Sequence, residues 1–317
     1  MHPTQIVVIA FGAAAIAGTL LLLLPVSTSA GNNTTLVTAF FTAVSAVCIT
    51  GLTVVDTATH WSGFGQFVIL ILIQLGGLGI VAFATLLGLL ISGRISLRDR
   101  MNTLSEAKIV GADNVSKLLG RILLVYFGFE LVLATYLSIR LHFSYGEEVL
   151  RSIWHGTFHA ISAFNNGGFS LYTDSMMGFS QDMFFIAPVM LAVIVGGLGF
   201  PVLIELHERL WRLRLQPGGK AKRFSLHTRL TLWMTISLIG LGALFIGLLE
   251  WNNPGTLGGL NTWDKLVNTF FSAVMPRSGG FNSIDITLMD PATWLGIDLL
   301  MVIGGGSAST AGGLKVT

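Results

Sequence analysis

The sequence predicts an all-α integral membrane protein built from three copies of one unit, and three observations lead to this prediction. Of its 317 residues, 52% are hydrophobic and 11% are charged, with a mean hydropathy of +0.75. Several apolar stretches reach the roughly 20 residues that a helix needs to cross a bilayer. Shorter apolar stretches lie between them, and each ends at a glycine turn. The bilayer is therefore the expected solvent.

Six segments are long and apolar enough to span the bilayer. In lipid, every backbone amide and carbonyl has to find a partner within its own segment, so each span is predicted to be a helix. The first lacks the basic residues that open a signal peptide and is followed by equally long segments, so it is predicted to be a true span. The six segments are 6–26, 67–91, 122–141, 183–204, 230–249 and 294–316.

Basic residues predict the orientation. Thirteen of the 18 Lys and Arg residues fall within 94–121 and 209–229, which the positive-inside rule assigns to the cytoplasm together with the N-terminus. The segments between the other spans then face outward and carry acids that would concentrate cations. Each of these acids is equally compatible with an ordinary solvated loop. They are Asp56, Glu147, Glu148, Asp174, Glu250, Asp264, Asp285 and Asp290.

Each outward segment contains an apolar stretch too short to cross, at 35–49, 149–164 and 262–275. This length is typical of a re-entrant or buried helix. Their ends align without gaps. They read FTAVSAVCITGLTVVD from residue 41, FHAISAFNNGGFSLYT from residue 158 and FSAVMPRSGGFNSID from residue 271.

A glycine marks the turn in each copy. Gly51, Gly168 and Gly280 are 117 and 112 residues apart; each follows a phenylalanine by ten residues and precedes an aspartate by five or six. The next span then carries a second glycine cluster, GGLG at 76–79, GGLG at 196–199 and GGGS at 304–307. The repeated unit is therefore span, short helix, glycine turn, span.

This unit suits a cation pathway. Irregular backbone at membrane depth is tolerated where it is buried in protein or lines a water-filled path. Glycine adopts positive φ without penalty, so carbonyls can turn inward and replace the hydration shell of a cation. Close helix packing is the alternative use of such glycines. The candidate ion-binding residues are Thr50, Gly51, Asn166, Gly167, Gly168, Gly279 and Gly280.

The motifs AVCITGLT, AFNNGGF, PRSGGFN and GGGSASTAGGLK resemble the Trk/Ktr/HKT superfamily of potassium transporters over essentially the whole chain, in particular the bacterial Ktr-type membrane subunit. The resemblance implies a potassium-translocating protein of the bacterial cytoplasmic membrane, made of four fused channel-like repeats. It implies a homodimer, surrounded by lipid and gated by a cytosolic ring of nucleotide-binding RCK subunits. Sodium is an activating ion in some members, and neither a covalent cofactor nor a nucleic-acid partner is implied.

The resemblance also implies residue roles. One glycine per repeat lines the filter, here Gly51, Gly168 and Gly280. An intramembrane gating loop interrupts the last inner helix. Its predicted members are Gly304, Gly305, Gly306, Ser307, Ser309, Thr310, Gly312, Gly313 and Lys315.

The chain departs from the family pattern by supplying three repeats of an expected four, which predicts a longer parent protein. Gly167 and Gly279 also stand where relatives often have alanine. The predicted domains are the first repeat at 1–92, a cytoplasmic loop at 93–117, the second repeat at 118–213, a cytoplasmic loop at 214–226 and the third repeat at 227–317.

The residues themselves also predict the loop. GGGSASTAGGL at 304–314 has poor helix propensity, so the last span is expected to unwind. Lys315 either lies near the membrane interior and repels cations or extends to the cytoplasmic interface.

Three other features have competing interpretations. His155 and His159 have a spacing that can hold zinc, but without a third ligand they are expected to pack the short helix. Glu130 is expected to bond a neighbouring helix rather than relay protons. Arg277 is expected to be held behind the filter by an acid.

The basic segments 92–111 and 212–229 are candidate docking surfaces for the regulatory ring, although topology and anionic lipid also explain their charge. A secondary transporter of a small solute, or a sodium-coupled carrier, is the alternative function, but such folds more often show inverted repeats. An intramembrane enzyme would need a nucleophile with its base, or a metal set, in one cavity, and the sequence offers neither.

Overall fold

The computed structural model describes residues 3–29, 33–93, 112–215 and 224–316. These residues form α-helices joined by loops, three short 3₁₀ turns and two isolated bridges, which agrees with the predicted all-α class. The helices are α1 Pro3–Leu22, α2 Leu36–Val47, α3 Thr57–His60, α4 Gly63–Gly93, α5 Ala112–Tyr145, α6 Val149–Phe164, α7 Met183–Leu198, α8 Phe200–Leu215, α9 Leu226–Glu250, α10 Thr262–Val274 and α11 Pro291–Val302.

The three short apolar segments form the helices α2, α6 and α10. Polar side chains start two of them: Thr35 caps α2 by accepting the amide of Thr38, and Asn261 caps α10 by accepting the amide of Asp264. With 12, 16 and 13 residues, the three helices are roughly 18–24 Å long. They are therefore too short to cross the hydrocarbon core, as the sequence predicts.

Each short helix packs within its own repeat. In the first repeat α2 lies against α1 and α4; in the second α6 lies against α5 and α7; in the third α10 lies against α9. Contacts between α4 and α6, and between α7 and α10, join neighbouring repeats. This arrangement brings the ends of the short helices together.

The predicted span 183–204 is not one continuous helix, so the prediction of an unbroken helix there is wrong. The chain bends by 105° between α7 and α8 at Gly199, whose φ is +90° and ψ 150°. A Cβ at Gly199 would lie 2.4 Å from the carbonyl oxygen of Ser307, so only glycine allows this close approach.

The last predicted span, 294–316, is helical only to Val302, as expected for a segment rich in glycine and serine. By length and composition, the described helices 123–145 and 226–250 can cross a membrane, and the bent pair α7 and α8 can be a third span. The apolar helices at 8–22, 63–79 and 291–302 are shorter.

Residues 94–111 and 216–223 lie outside the described residues. They include most of the first candidate docking surface, 92–111, and the middle of the second, 212–229. Helix α5 begins at Ala112, which lies within the predicted loop 93–117. The proposed domain boundaries remain predictions.

Two aspartates that cap helices allow a matched stability test. Asp182 caps α7 and also binds Arg140 through both carboxylate oxygens, at 2.9 and 3.0 Å; Asp290 caps α11 without such a partner. We expect Asp290→Ala to lower the free energy of unfolding by about 1 kcal/mol. Asp182→Ala should cost about 2 kcal/mol, because a partly exposed ion pair and a hydrogen bond from the Tyr145 hydroxyl add modestly to the cap. Thermal melting in detergent measures both, and equal losses would contradict a contribution from Arg140.

Candidate functional site

The glycines that mark the three repeats meet at one place. A Cβ built on Gly51 would lie 2.8 Å from the carbonyl oxygen of Gly167 and 3.2 Å from the Cα of Gly168. One built on Gly168 would lie 3.0 Å from the Cα of Gly280 and 3.4 Å from the carbonyl oxygen of Gly279. The second turn therefore lies between the first and the third, at a spacing that leaves no room for side chains.

The three turns share a backbone conformation. Gly51, Gly168 and Gly280 have φ of +76°, +70° and +75°. The residue two positions earlier is also left-handed in each turn. These residues are Ile49 at +56°, Asn166 at +57° and Ser278 at +76°. Non-glycine residues rarely adopt this conformation, so its occurrence at the same position in all three turns supports a true structural repeat.

Serines brace two of the turns from the preceding short helix. Ser45 Oγ donates to the carbonyl of Leu52 at 2.7 Å, and Ser162 Oγ donates to the carbonyl of Phe169 at 2.8 Å. Both serines stand six residues before their glycine, where the third repeat has Val274. The third turn instead bonds the amides of Gly279 and Gly280 to Met275 O.

A polar cavity of about 410 Å³ opens above the turns, and all three glycines line it. Asp56 is the acid among its lining residues. It caps α3 through the amide of Ala58 and accepts a 2.8 Å hydrogen bond from Thr173 of the second repeat. Asp285, which is partly exposed, accepts from Thr287 N–H and Oγ1, and these hydrogen bonds lower the pKa of its carboxyl. Both acids thus organise loops through their hydrogen bonds.

The histidine pair lies beside the second turn, where both side chains are buried and hydrogen-bonded. His155 Nδ1 lies 3.1 Å from Tyr172 Oη and 3.3 Å from Glu147 Oε1. His159 contacts His155 O and Ser170 Oγ through its two ring nitrogens. Burial and the nearby Glu147 charge raise the pKa of Tyr172, so its hydroxyl stays protonated and donates to Glu147. No cluster of three metal-ligating side chains occurs in the described part of the chain.

The segment that follows α11 packs against the break between α7 and α8. Backbone hydrogen bonds join Gly306 N to Gly197 O at 2.9 Å, Thr310 N to Gly196 O at 3.3 Å and Phe200 N to Ala308 O at 3.2 Å. The predicted loop residues at 304–306, together with Ser309 and Thr310, are buried, while Gly312, Gly313 and Lys315 are exposed. The Lys315 ammonium donates to Ala311 O. This segment, 303–316, is hereafter the intramembrane loop.

The intramembrane loop also contacts the glycine turns. Thr310 Oγ1 lies 3.3 Å from both Phe164 O and Asn166 Oδ1. The amide of Gly312 donates to Ser278 Oγ at 2.9 Å. Asn166 thus directs its side chain toward the loop. It supplies backbone to the second turn, and its buried Nδ2 makes no hydrogen bond.

Arg277 does not pair with an acid, so that expectation is wrong. Its Nη2 donates at 2.9 Å to the carbonyl of Gly304, at the start of the intramembrane loop. Among the described residues the ion pairs join Arg140 with Asp182 and His155 with Glu147. The helix ends at Val302, and the chain beyond it places the carbonyl of Gly304 beside the guanidinium. The sequence could not indicate this contact.

Sequence reasoning missed a polar cluster behind the second turn. Glu130 bonds neighbouring elements as expected, but its partners Gln74 and Asn165 come from α4 and from the residue after α6. Tyr126 completes the cluster. The four residues are spread over some 90 positions, so no local pattern joins them.

Comparisons with known proteins agree with this geometry. The family model described as TrkH, cation transport protein, matches residues 1–317. Ktr system potassium uptake protein B of Bacillus subtilis is 42% identical over 99% of this chain and 68% of its own length. Potassium/sodium uptake protein NtpJ of Enterococcus hirae is 36% identical over 100% of this chain and 68% of its own.

The fold is that of a solved relative. The crystal structure of the potassium transporter TrkH from Vibrio parahaemolyticus aligns with a TM-score of 0.72 at 18% identity. The alignment covers 98% of this chain and 58% of that one, so this chain spans roughly two thirds of the relatives' length. Matching over its whole length, the chain belongs to the TrkH family of cation transport proteins.

Proposed function

We propose that the three glycine turns form three quadrants of a selectivity filter for potassium uptake. The observation that carries the proposal is the convergence of three turns that have positive φ at the same two positions and lie 117 and 112 residues apart in sequence. They approach until a Cβ on the central glycine would touch its neighbour at 3.0 Å. Inward carbonyls at such a constriction can replace the hydration shell of a cation. The polar cavity above the filter is its outer vestibule, and the remaining quadrant comes from a fourth repeat.

The intramembrane loop acts as the gate in this proposal. It makes hydrogen bonds to the second and third filter turns and to the break at Gly199. A segment held by a few backbone hydrogen bonds can be displaced at modest cost. Its displacement is controlled by a cytosolic RCK-type ring. The name of the Bacillus subtilis relative describes it as protein B of a Ktr system, which supports the existence of a partner. The assembly is a homodimer in the cytoplasmic membrane.

Sodium participates in the proposed transport as a second ion. The name of the Enterococcus hirae relative includes both potassium and sodium, and both ions can be bound by carbonyl oxygens. Sodium acts here as an activator of potassium uptake.

Potassium uptake in cells that lack their own uptake systems tests the proposal. The 317-residue chain is compared with the same chain continued through the fourth repeat of its Bacillus subtilis relative. We expect uptake from the extended form alone. Equal uptake by the shorter chain would contradict the need for a fourth quadrant, and no uptake by either form would contradict the potassium filter itself.

A further inference from the structure

A carboxylate lies buried behind the second filter turn. Glu130, on α5, is 4% exposed. Its Oε2 accepts a hydrogen bond from Gln74 Nε2 of α4, and its Oε1 accepts one from Asn165 Nδ2, both at 2.9 Å. Each carboxylate oxygen therefore accepts a hydrogen bond from an amide donor. This suits an ionised carboxylate, which can only accept hydrogen bonds.

Asn165 connects this carboxylate to the filter. It is fully buried at the C-terminal end of α6, three residues before Gly168. Its Nδ2 also donates to Ile161 O at 2.8 Å, and its Oδ1 accepts from the Tyr126 hydroxyl. Gly77 provides the room, because a Cβ there would lie 1.7 Å from Asn165 Oδ1. Side chains of α4 and α5 thus fix the amide at the base of the second turn.

Aromatic packing holds the same helix end. The ring of Phe164, the last residue of α6, lies 5.0 Å from those of both Tyr126 and Phe129. All three come from the region around Glu130 and Asn165. The end of α6 therefore has little freedom to move while the cluster is intact.

The equivalent position differs in each repeat. Three residues before the filter glycine stand Cys48, Asn165 and Arg277. Cys48 is a free, exposed thiol, and Arg277 bonds the intramembrane loop. Within the described parts of the three repeats, the second turn alone is anchored by a buried acid at this position. The quadrants are therefore supported unequally from behind.

We propose that Glu130 is a positioning residue that sets the second filter turn and thereby the preference for potassium over sodium. The inference rests on the proposed filter function. Discrimination between the two ions depends on the placement and number of carbonyl oxygens. A carboxylate that fixes Asn165 fixes the backbone that leads directly into Asn166, Gly167 and Gly168.

An isosteric substitution tests the role of the acceptor. Glu130→Gln keeps the size of the side chain but turns one acceptor into a donor, which then faces an amide N–H of Gln74 or Asn165. We expect the ratio of potassium to sodium uptake by the extended form to fall about tenfold, the order expected when a hydrogen bond to a charged group is lost. The double variant Gln74→Glu, Glu130→Gln restores matched donors and acceptors and should recover most of the ratio.

Glu250→Gln is the matched control. Glu250 is also fully buried and its carboxylate accepts from Thr256, Thr293, Asn253 and the amide of Asp290, but it lies at the outer end of α9. This variant should lower the melting temperature and leave the ion ratio unchanged. A changed ratio in Glu250→Gln equal to that of Glu130→Gln would overturn a specific role for Glu130.

Hydrogen exchange in the purified protein separates this inference from the proposed function. We expect Glu130→Gln to speed amide exchange at 165–169, Glu250→Gln to leave those amides protected, and the double variant to restore protection. Unchanged exchange and an unchanged ion ratio in Glu130→Gln would overturn the inference. So would a double variant that folds as stably as the parent without recovering protection. Absence of uptake by the parent would instead count against the proposed function, while the exchange data still decide whether Glu130 positions the turn.

Discussion

Gly168→Asp should abolish potassium uptake by the extended form. Gly168 belongs to the central glycine turn, with φ +70° and with the Cα of Gly280 only 3.0 Å from where a Cβ would stand. Overpacking of up to about 3 kcal/mol at this close contact predicts a loss of about 100-fold, before the obstruction by the side chain itself. Uptake of potassium at a fixed external concentration measures the effect.

Gly146→Asp provides the matched control. Gly146 has φ +67°, close to that of Gly168, but nothing lies within 4 Å of a Cβ there and the residue is exposed. The backbone strain and the added charge are the same, so the two variants differ in the space around the new side chain. Uptake by Gly146→Asp should stay within about a factor of two of the parent, since surface substitutions are mild. Normal uptake by Gly168→Asp would contradict the proposal that Gly168 lines the filter.

Gly306→Ala should increase ion flux in the absence of a regulatory partner. Gly306 lies where the intramembrane loop meets the helix break: a Cβ would stand 2.4 Å from Leu198 O, and the amide of Gly306 donates to Gly197 O at 2.9 Å. Displacing the loop breaks that bond, worth about 1 kcal/mol, and shifts the population toward the open form about fivefold. Rubidium flux from proteoliposomes containing the extended form measures the change.

The control is Gly312→Ala in the same loop. Neither glycine has a positive φ, and at Gly312 the nearest atom to a Cβ is Ser278 Oγ at 3.6 Å, an ordinary contact distance. Flux through Gly312→Ala should therefore match that of the parent. Flux through Gly306→Ala at or below the parental level would contradict the proposal that the loop, packed against the break between α7 and α8, acts as a gate.

The sequence by itself determined the helical class and the positions of the three glycine turns. These features are local: apolar length sets the helices, and the positive φ found at Gly51, Gly168 and Gly280 belongs to a conformation that glycine adopts without penalty. The unwinding after Val302 was predictable for the same reason, because poor helix propensity acts within a few residues.

The tertiary structure alone decided which groups meet. Arg277 bonds a loop carbonyl instead of an acid, and the chain bends at Gly199, where Ser307 approaches closely. Gln74, Glu130 and Asn165 meet behind the second glycine turn. A buried polar group must find a partner, but the sequence does not say which one. That choice is made by the packing of helices whose contacting residues lie tens of positions apart along the chain.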